Sequence, residues 1–216
     1  MQDYCERTGT GFFDEPVNAA TNAVFFLAAW GAWSLGSRRK ALSPGVWALI
    51  ALASAIGVGS TLWHTFATSW ARPLDVIPIL LFQLCFIWIY GRGQIGLRRA
   101  VVALAILLYV GAALLGRHYK VFMNSVLMYV PALALSLAVG VYHLRAEKRE
   151  PWLLLAGAGA FCLALFFRTI DKWICPCWPL GTHFLWHLFN GLVVYLAMRG
   201  LIMNRATKTI MNSPKK

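Results

Sequence analysis

The chain has 216 residues, 59% of them hydrophobic and only 13% charged. A water-soluble domain carries about a quarter charged residues, so the composition excludes an ordinary soluble fold. The formal net charge of +12 is divided among short separate segments, which argues against the single basic patch of a nucleic-acid-binding protein.

The opening segment, residues 1–16, holds four acids and one arginine. A secretory signal peptide begins with a basic region, so this segment is expected to stay on the chain. Its acids, Asp3, Glu6, Asp14 and Glu15, fit either an acidic flank outside the membrane or a site for a hard cation. Ca²⁺ takes several oxygen ligands, although the spacing matches no EF-hand loop.

Seven apolar runs follow, at residues 18–35, 44–63, 74–90, 100–116, 121–142, 152–167 and 182–203. Their lengths approach or match the roughly 17–25 residues of a membrane-spanning helix. The links between them are short. The expected fold is an all-α membrane protein: one bundle of seven transmembrane helices over residues 1–203, with a polar tail at 204–216. No repeat, heptad array or low-complexity tract interrupts it.

Orientation follows from the basic residues. Arg38, Arg39 and Lys40, then Arg92, Arg98 and Arg99, then Arg145, Lys148 and Arg149 fall in one set of loops. Arg199, Arg205, Lys208, Lys215 and Lys216 join them at the C-terminal end. The other side holds Arg7, Arg72, Arg117, Lys120, Arg168 and Lys172. Positive charge collects on the cytoplasmic side, which predicts the N-terminus outside and the C-terminus in the cytoplasm.

That topology gathers chemistry at one face. His64 ends the second run and Asp75 opens the third. His183 and His187 lie in the first turns of the seventh, four residues apart and so on one helical face. All four fall in the outer half of the bundle. Ionisable groups at membrane depth are costly and mark function. Three imidazoles with one open position form the ligand count of a catalytic zinc.

Asp75 has two readings, an ion pair with Arg72 or a carboxylate facing the zinc site. The second also brings a +2 site toward neutrality, where uncompensated charge is costly. Ser60 stands one turn before His64 in Gly57-Val58-Gly59-Ser60. The glycines read as helix-packing residues, and the hydroxyl as packing or as a partner of the zinc water or a developing oxyanion. His118 and His143, at loop edges, are expected to be solvated. Cys5, Cys175 and Cys177 fall on the outer side, where an oxidising compartment lets cysteines pair. Cys85 and Cys162 sit inside runs as core thiols.

Three patches spread over nearly the whole chain resemble the alkaline ceramidase family, part of a superfamily of seven-helix membrane hydrolases that includes the adiponectin receptors. Asp3-Tyr4-Cys5-Glu6 followed by Glu15-Pro16-Val17-Asn18 and Asn22 resembles that family's D-W-C-E and E-x-x-N opening. Gly59-Ser60-Thr61-Leu62-Trp63-His64, with Asp75 and Pro78 beyond, resembles G-S-x-x-x-H and L-L-D-E-L-P. Asp171 with Cys175, then His183-Phe184-Leu185-Trp186-His187 and Gly191, resembles D-x-x-x-C and H-x-W-W-H. Thr8 stands where the family has Asn, and Val76 where it usually has Glu.

The resemblance implies a zinc held by His64, His183 and His187, with Ser60 and Asp75 in the catalytic shell. It implies a calcium site from Asp3, Tyr4 (backbone carbonyl), Glu6, Thr8 and Glu15, and a disulfide between Cys5 and Cys175. The expected activity is zinc-dependent cleavage of the N-acyl amide of a ceramide-like lipid, with the site toward the periplasmic or lumenal face. A lipid receptor with structural zinc and a hydrolase of another acyl lipid are the rival expectations. Leu80, Phe82, Phe161, Leu188 and Phe189 are expected, from helix phase, to line an acyl-chain pocket.

Overall fold

The computed structural model describes residues 4–9, 11–119 and 122–205. Asp3 and the tail beyond Arg205 lie outside them. Among the described residues the chain is helical and has no strand. Its α-helices are α1 (Pro16–Thr21), α2 (Ala23–Arg38), α3 (Pro44–Phe66), α4 (Ala71–Tyr90), α5 (Arg99–His118), α6 (Val130–Arg145), α7 (Leu153–Ile174) and α8 (His183–Met203). A π-turn, Gly91–Ile95, extends α4, and a 3₁₀ segment, Phe122–Tyr129, leads into α6.

The local sequence explains several of these starts. α1, α3 and α6 have proline in their first turn, where a missing N–H costs nothing and φ is already helical. Ser43 caps α3 by accepting a hydrogen bond from the Val46 N–H at 3.2 Å. α3 ends at Ala67, which takes a left-handed conformation with φ of 48°.

Among the described residues, six helices are long and apolar enough to cross a membrane. The first expected span, 18–35, is present as α1 and α2, broken at Asn22. Asn22 is fully buried, and its side-chain amide donates to the Asn18 carbonyl. The fifth expected span is α-helical only from Val130, because the 3₁₀ segment precedes Pro131. The link Arg72-Pro73-Leu74-Asp75 is not a loop but the first turn of α4. α7 runs seven residues past the expected 167, to Ile174, which puts Asp171 on a helix.

Packing closes these helices into a ring. α2 contacts α3 and α8, and consecutive helices from α3 to α8 contact each other in turn. Small residues let the helices approach: Ala28, Ala29, Ala32 and Gly36 form the buried face of α2. A Cβ at Gly59 would lie 1.8 Å from the Leu74 carbonyl oxygen, so α3 and α4 meet there backbone to backbone. Outward-facing leucines, such as Leu107 and Leu108 of α5, are exposed, as lipid contact requires. Exposed tryptophans near helix ends (Trp70, Trp152, Trp173 and Trp178) match the aromatic belts of membrane interfaces.

His143 is not solvated as expected but fully buried. Its Nε2–H donates to the Arg149 carbonyl at 3.2 Å, and its Nδ1 accepts from the Tyr90 hydroxyl at 2.8 Å. Both ring nitrogens are satisfied, which removes the main cost of burial. His118 is exposed at the end of α5.

The α3–α4 contact gives a direct test. Gly59→Ala forces the two backbones apart and is expected to cost about 1–3 kcal/mol, as overpacking does. Gly159→Ala, where a Cβ meets nothing within 4 Å, serves as the control. Thermal unfolding in detergent should show a clear loss for the first and little change for the second.

Candidate metal centre

α3 and α8 bring His64, His183 and His187 together. Each is at most 2% exposed. Their candidate ligand atoms lie within 4.8 Å of one another. The ring centroids of His64 and His187 are 4.8 Å apart, and those of His183 and His187 4.7 Å.

Two of the rings are oriented from the N-terminal segment. The His64 Nδ1–H donates to Glu15 Oε2 at 2.5 Å. The Thr21 hydroxyl donates to the Val17 carbonyl and accepts from the His187 Nδ1–H at 3.0 Å. Both histidines therefore keep Nε2 as a free lone pair. A carboxylate or hydroxyl behind a histidine in this way fixes the tautomer that a metal needs. The third ring has a buried Nδ1 with no hydrogen-bond partner. Three buried neutral imidazoles, one with an unmatched nitrogen, fit a borderline transition metal such as zinc.

Glu15 is nearly fully buried. Its Oε1 accepts from the Arg7 Nε–H, and its Oε2 also accepts from Asn18 at 3.1 Å. Burial pushes the Glu15 carboxyl up, but the hydrogen bonds from His64, Arg7 and Asn18 outweigh it. The group is held below the usual carboxylate range, so it stays ionised.

Asp171 anchors the same corner. One carboxylate oxygen accepts from the N–H groups of Thr182 and His183, at 2.7 and 2.9 Å, and the other from the Cys5 N–H at 3.2 Å. It thereby caps the start of α8 and holds the N-terminal segment against it. Cys5 and Cys175 form a disulfide, while Cys177 is free and exposed. Gly181 has a φ of +66°, and a Cβ there would meet Asp171 and Cys5. Only glycine suits that position.

The histidines form one end of a cavity of about 250 Å³ that is lined from α2 through α8. Ser60 and Asp75 line it too, as do Tyr4 and Arg168. The Tyr4 ring stacks on His183 with centroids 3.8 Å apart. The Arg168 guanidinium lies over the rings of Trp186 and Tyr129, at 5.0 and 5.4 Å. Away from the histidines the wall includes the apolar Phe82, Leu135, Phe161, Val193 and Ala197, with Gln83, Ser136 and Asn190 among them. Of the residues expected to line it, Phe82 and Phe161 do, whereas Leu80, Leu188 and Phe189 do not. Leu188 is exposed, Phe189 stacks on Phe167, and Leu80 packs beside Ile87 and Tyr109.

A family model described as ceramidase matches residues 1–216, the whole chain. The chain belongs to the ceramidase family. No curated protein matches it. Membership makes it an amide hydrolase with a general role in cleaving ceramide, and the apolar helices and cavity suit a lipid substrate within a membrane.

The residues expected to hold calcium lie in the segment that leads into α1. Asp3 lies outside the described residues. Both oxygens of Glu6 accept backbone N–H groups at the start of α1, from Val17 and Asn18. Thr8 is exposed, and Glu15 faces Arg7 and His64.

The orienting carboxylate yields a prediction. Glu15→Gln keeps the shape but removes the charge behind His64. Metal affinity should fall about 10–100-fold, measured by competition with a chelator. An unchanged affinity would show that Glu15 does not orient a ligand.

Proposed function

We propose that this ceramidase is a zinc-dependent intramembrane amidohydrolase that cleaves the N-acyl bond of ceramide-like lipids to a fatty acid and a sphingoid-type amine. The observation that carries the reading is that the clustered His64, His183 and His187 share one cavity with Ser60 and Asp75 and with many apolar side chains. His64, His183 and His187 would hold the ion. When bound, zinc supplies Lewis-acid polarisation of the amide carbonyl and a water of lowered pKa.

The protein groups have separate tasks. Asp75 takes the proton of the attacking water and passes it to the leaving nitrogen, because an amine cannot depart unprotonated. Ser60 donates its hydroxyl hydrogen to the carbonyl oxygen as negative charge develops there. The apolar wall holds the acyl chain. His187 and Ala197 are separated by about 15 Å of helical rise, so the cavity accepts an extended chain below the scissile bond. Asp75 in the same cavity as the histidines supports hydrolysis over a purely structural metal in a lipid receptor.

The distribution of basic residues supports an N-terminus outside, a cytoplasmic C-terminus with a polar tail at 204–216, and one functional bundle over 1–203. The metal centre then faces the periplasm or a lumen. A disulfide between Cys5 and Cys175 suits that oxidising side.

Metal analysis of purified protein should find about one zinc per chain, lost in His64→Ala. Asp75→Asn should keep the zinc and lower amide turnover about 10²–10⁴-fold. Wild-type turnover in that variant removes Asp75 from the mechanism. Zinc without hydrolysis of any N-acyl lipid by the wild type favours a receptor.

The cavity makes a second forecast. Ala197→Trp fills its far end and should shift preference toward shorter acyl chains with zinc content unchanged, as read by mass spectrometry of products from mixed-chain ceramides. An unaltered chain profile would place the acyl group elsewhere.

A further inference from the structure

The N-terminal segment carries a cation of its own. Arg7 is 4% exposed, although nothing in its neighbourhood of the sequence is apolar enough to demand burial. Its Nε–H donates to Glu15 Oε1, and its Nη2 donates to the His64 carbonyl oxygen at 2.8 Å. That carbonyl belongs to the last turn of α3, where backbone oxygens have no helical partner and the helix dipole favours positive charge. One guanidinium thus joins the start of α1 to the end of α3.

A divalent ion at this place would need oxygens with lone pairs to spare, six to eight of them for calcium. The described residues offer few. Glu15 already meets Arg7, His64 and Asn18, and Glu6 meets two backbone N–H groups. A guanidinium inside the cluster also repels a second cation.

We propose that Arg7 is the built-in cation at Glu15, a carboxylate that the resemblance gives to calcium, so the protein folds and holds its metal centre without calcium. A guanidinium stays charged at every physiological pH, so the tie between α1 and α3 does not respond to a cation concentration. Arg7 is a positioning residue. It holds Glu15, and Glu15 orients His64. That last step rests on His64 being a metal ligand, whereas the calcium independence does not.

Full-length protein in detergent micelles provides the test. The melting temperature of the wild type should be the same in excess EGTA and in millimolar Ca²⁺, and dialysis against dilute Ca²⁺ should leave no calcium on the chain. Arg7→Met keeps the apolar stem and removes the charge. It should melt lower and lose zinc to a chelator about 10–100-fold more readily. Arg7→Lys, which keeps a charge but not the fork of donors, should fall between the two. A wild type whose melting temperature rises with Ca²⁺ overturns the proposal. So does an Arg7→Met protein with unchanged melting and zinc retention. If Arg7→Met does not fold, the wild-type calcium measurements and Arg7→Lys still decide. A wild type without zinc sinks the histidine reading and leaves the calcium comparison standing.

Discussion

Three imidazole rings lie against one another where little water reaches, and the rest of the architecture answers to that arrangement. A histidine offered to a metal must be neutral, hold the right tautomer and resist turning. The rings come from α3 and α8, but two of the groups that fix them, Glu15 and Thr21, come from the N-terminal segment and α1. The short first helix is therefore part of the site. Its break at Asn22 lets Thr21 face His187 while α2 continues as a wall of the ring.

Much of this was legible in the sequence, because spacing encodes it. The four-residue interval of His183 and His187 sets one face, and the alternation of apolar runs puts His64 and Asp75 at the same level. The roles of Arg7 and Glu15 were not legible. Their partners lie 57 and 49 residues away, and an acidic residue before a helix carries no mark that separates a cation ligand from a histidine's partner. The burial of His143 was hidden for the same reason, since Tyr90 reaches it from another helix. Two of the five expected pocket-wall residues, Phe82 and Phe161, line the cavity. A phase error of one residue turns a helical side chain by about 100°, enough to move Leu188 from cavity to lipid.

The apolar composition serves two surfaces with different demands. Outward leucines and tryptophans meet lipid and need only be apolar. Inward residues must leave a cavity while still closing seven helices into a ring. Alanines and glycines where α2 meets its neighbours permit the close contacts, and phenylalanines on α4 and α7 shape the void. Polar groups are a minority inside that void, and the three histidines are its densest polar cluster.

The disulfide and Asp171 join the beginning of the polypeptide to residues near its end, across a separation of 170 residues for the cysteines. A chain emerging from the ribosome makes Glu15 and His64 early and His183 and His187 last. During synthesis the half-built centre has one imidazole and no cap on the final helix. On the proposed mechanism, the ability to cut lipids would therefore arrive in a single step, when α8 enters the membrane and the two ends are fastened. A nascent or truncated chain, though already embedded among potential substrates, would then have no means of attacking the bilayer that holds it.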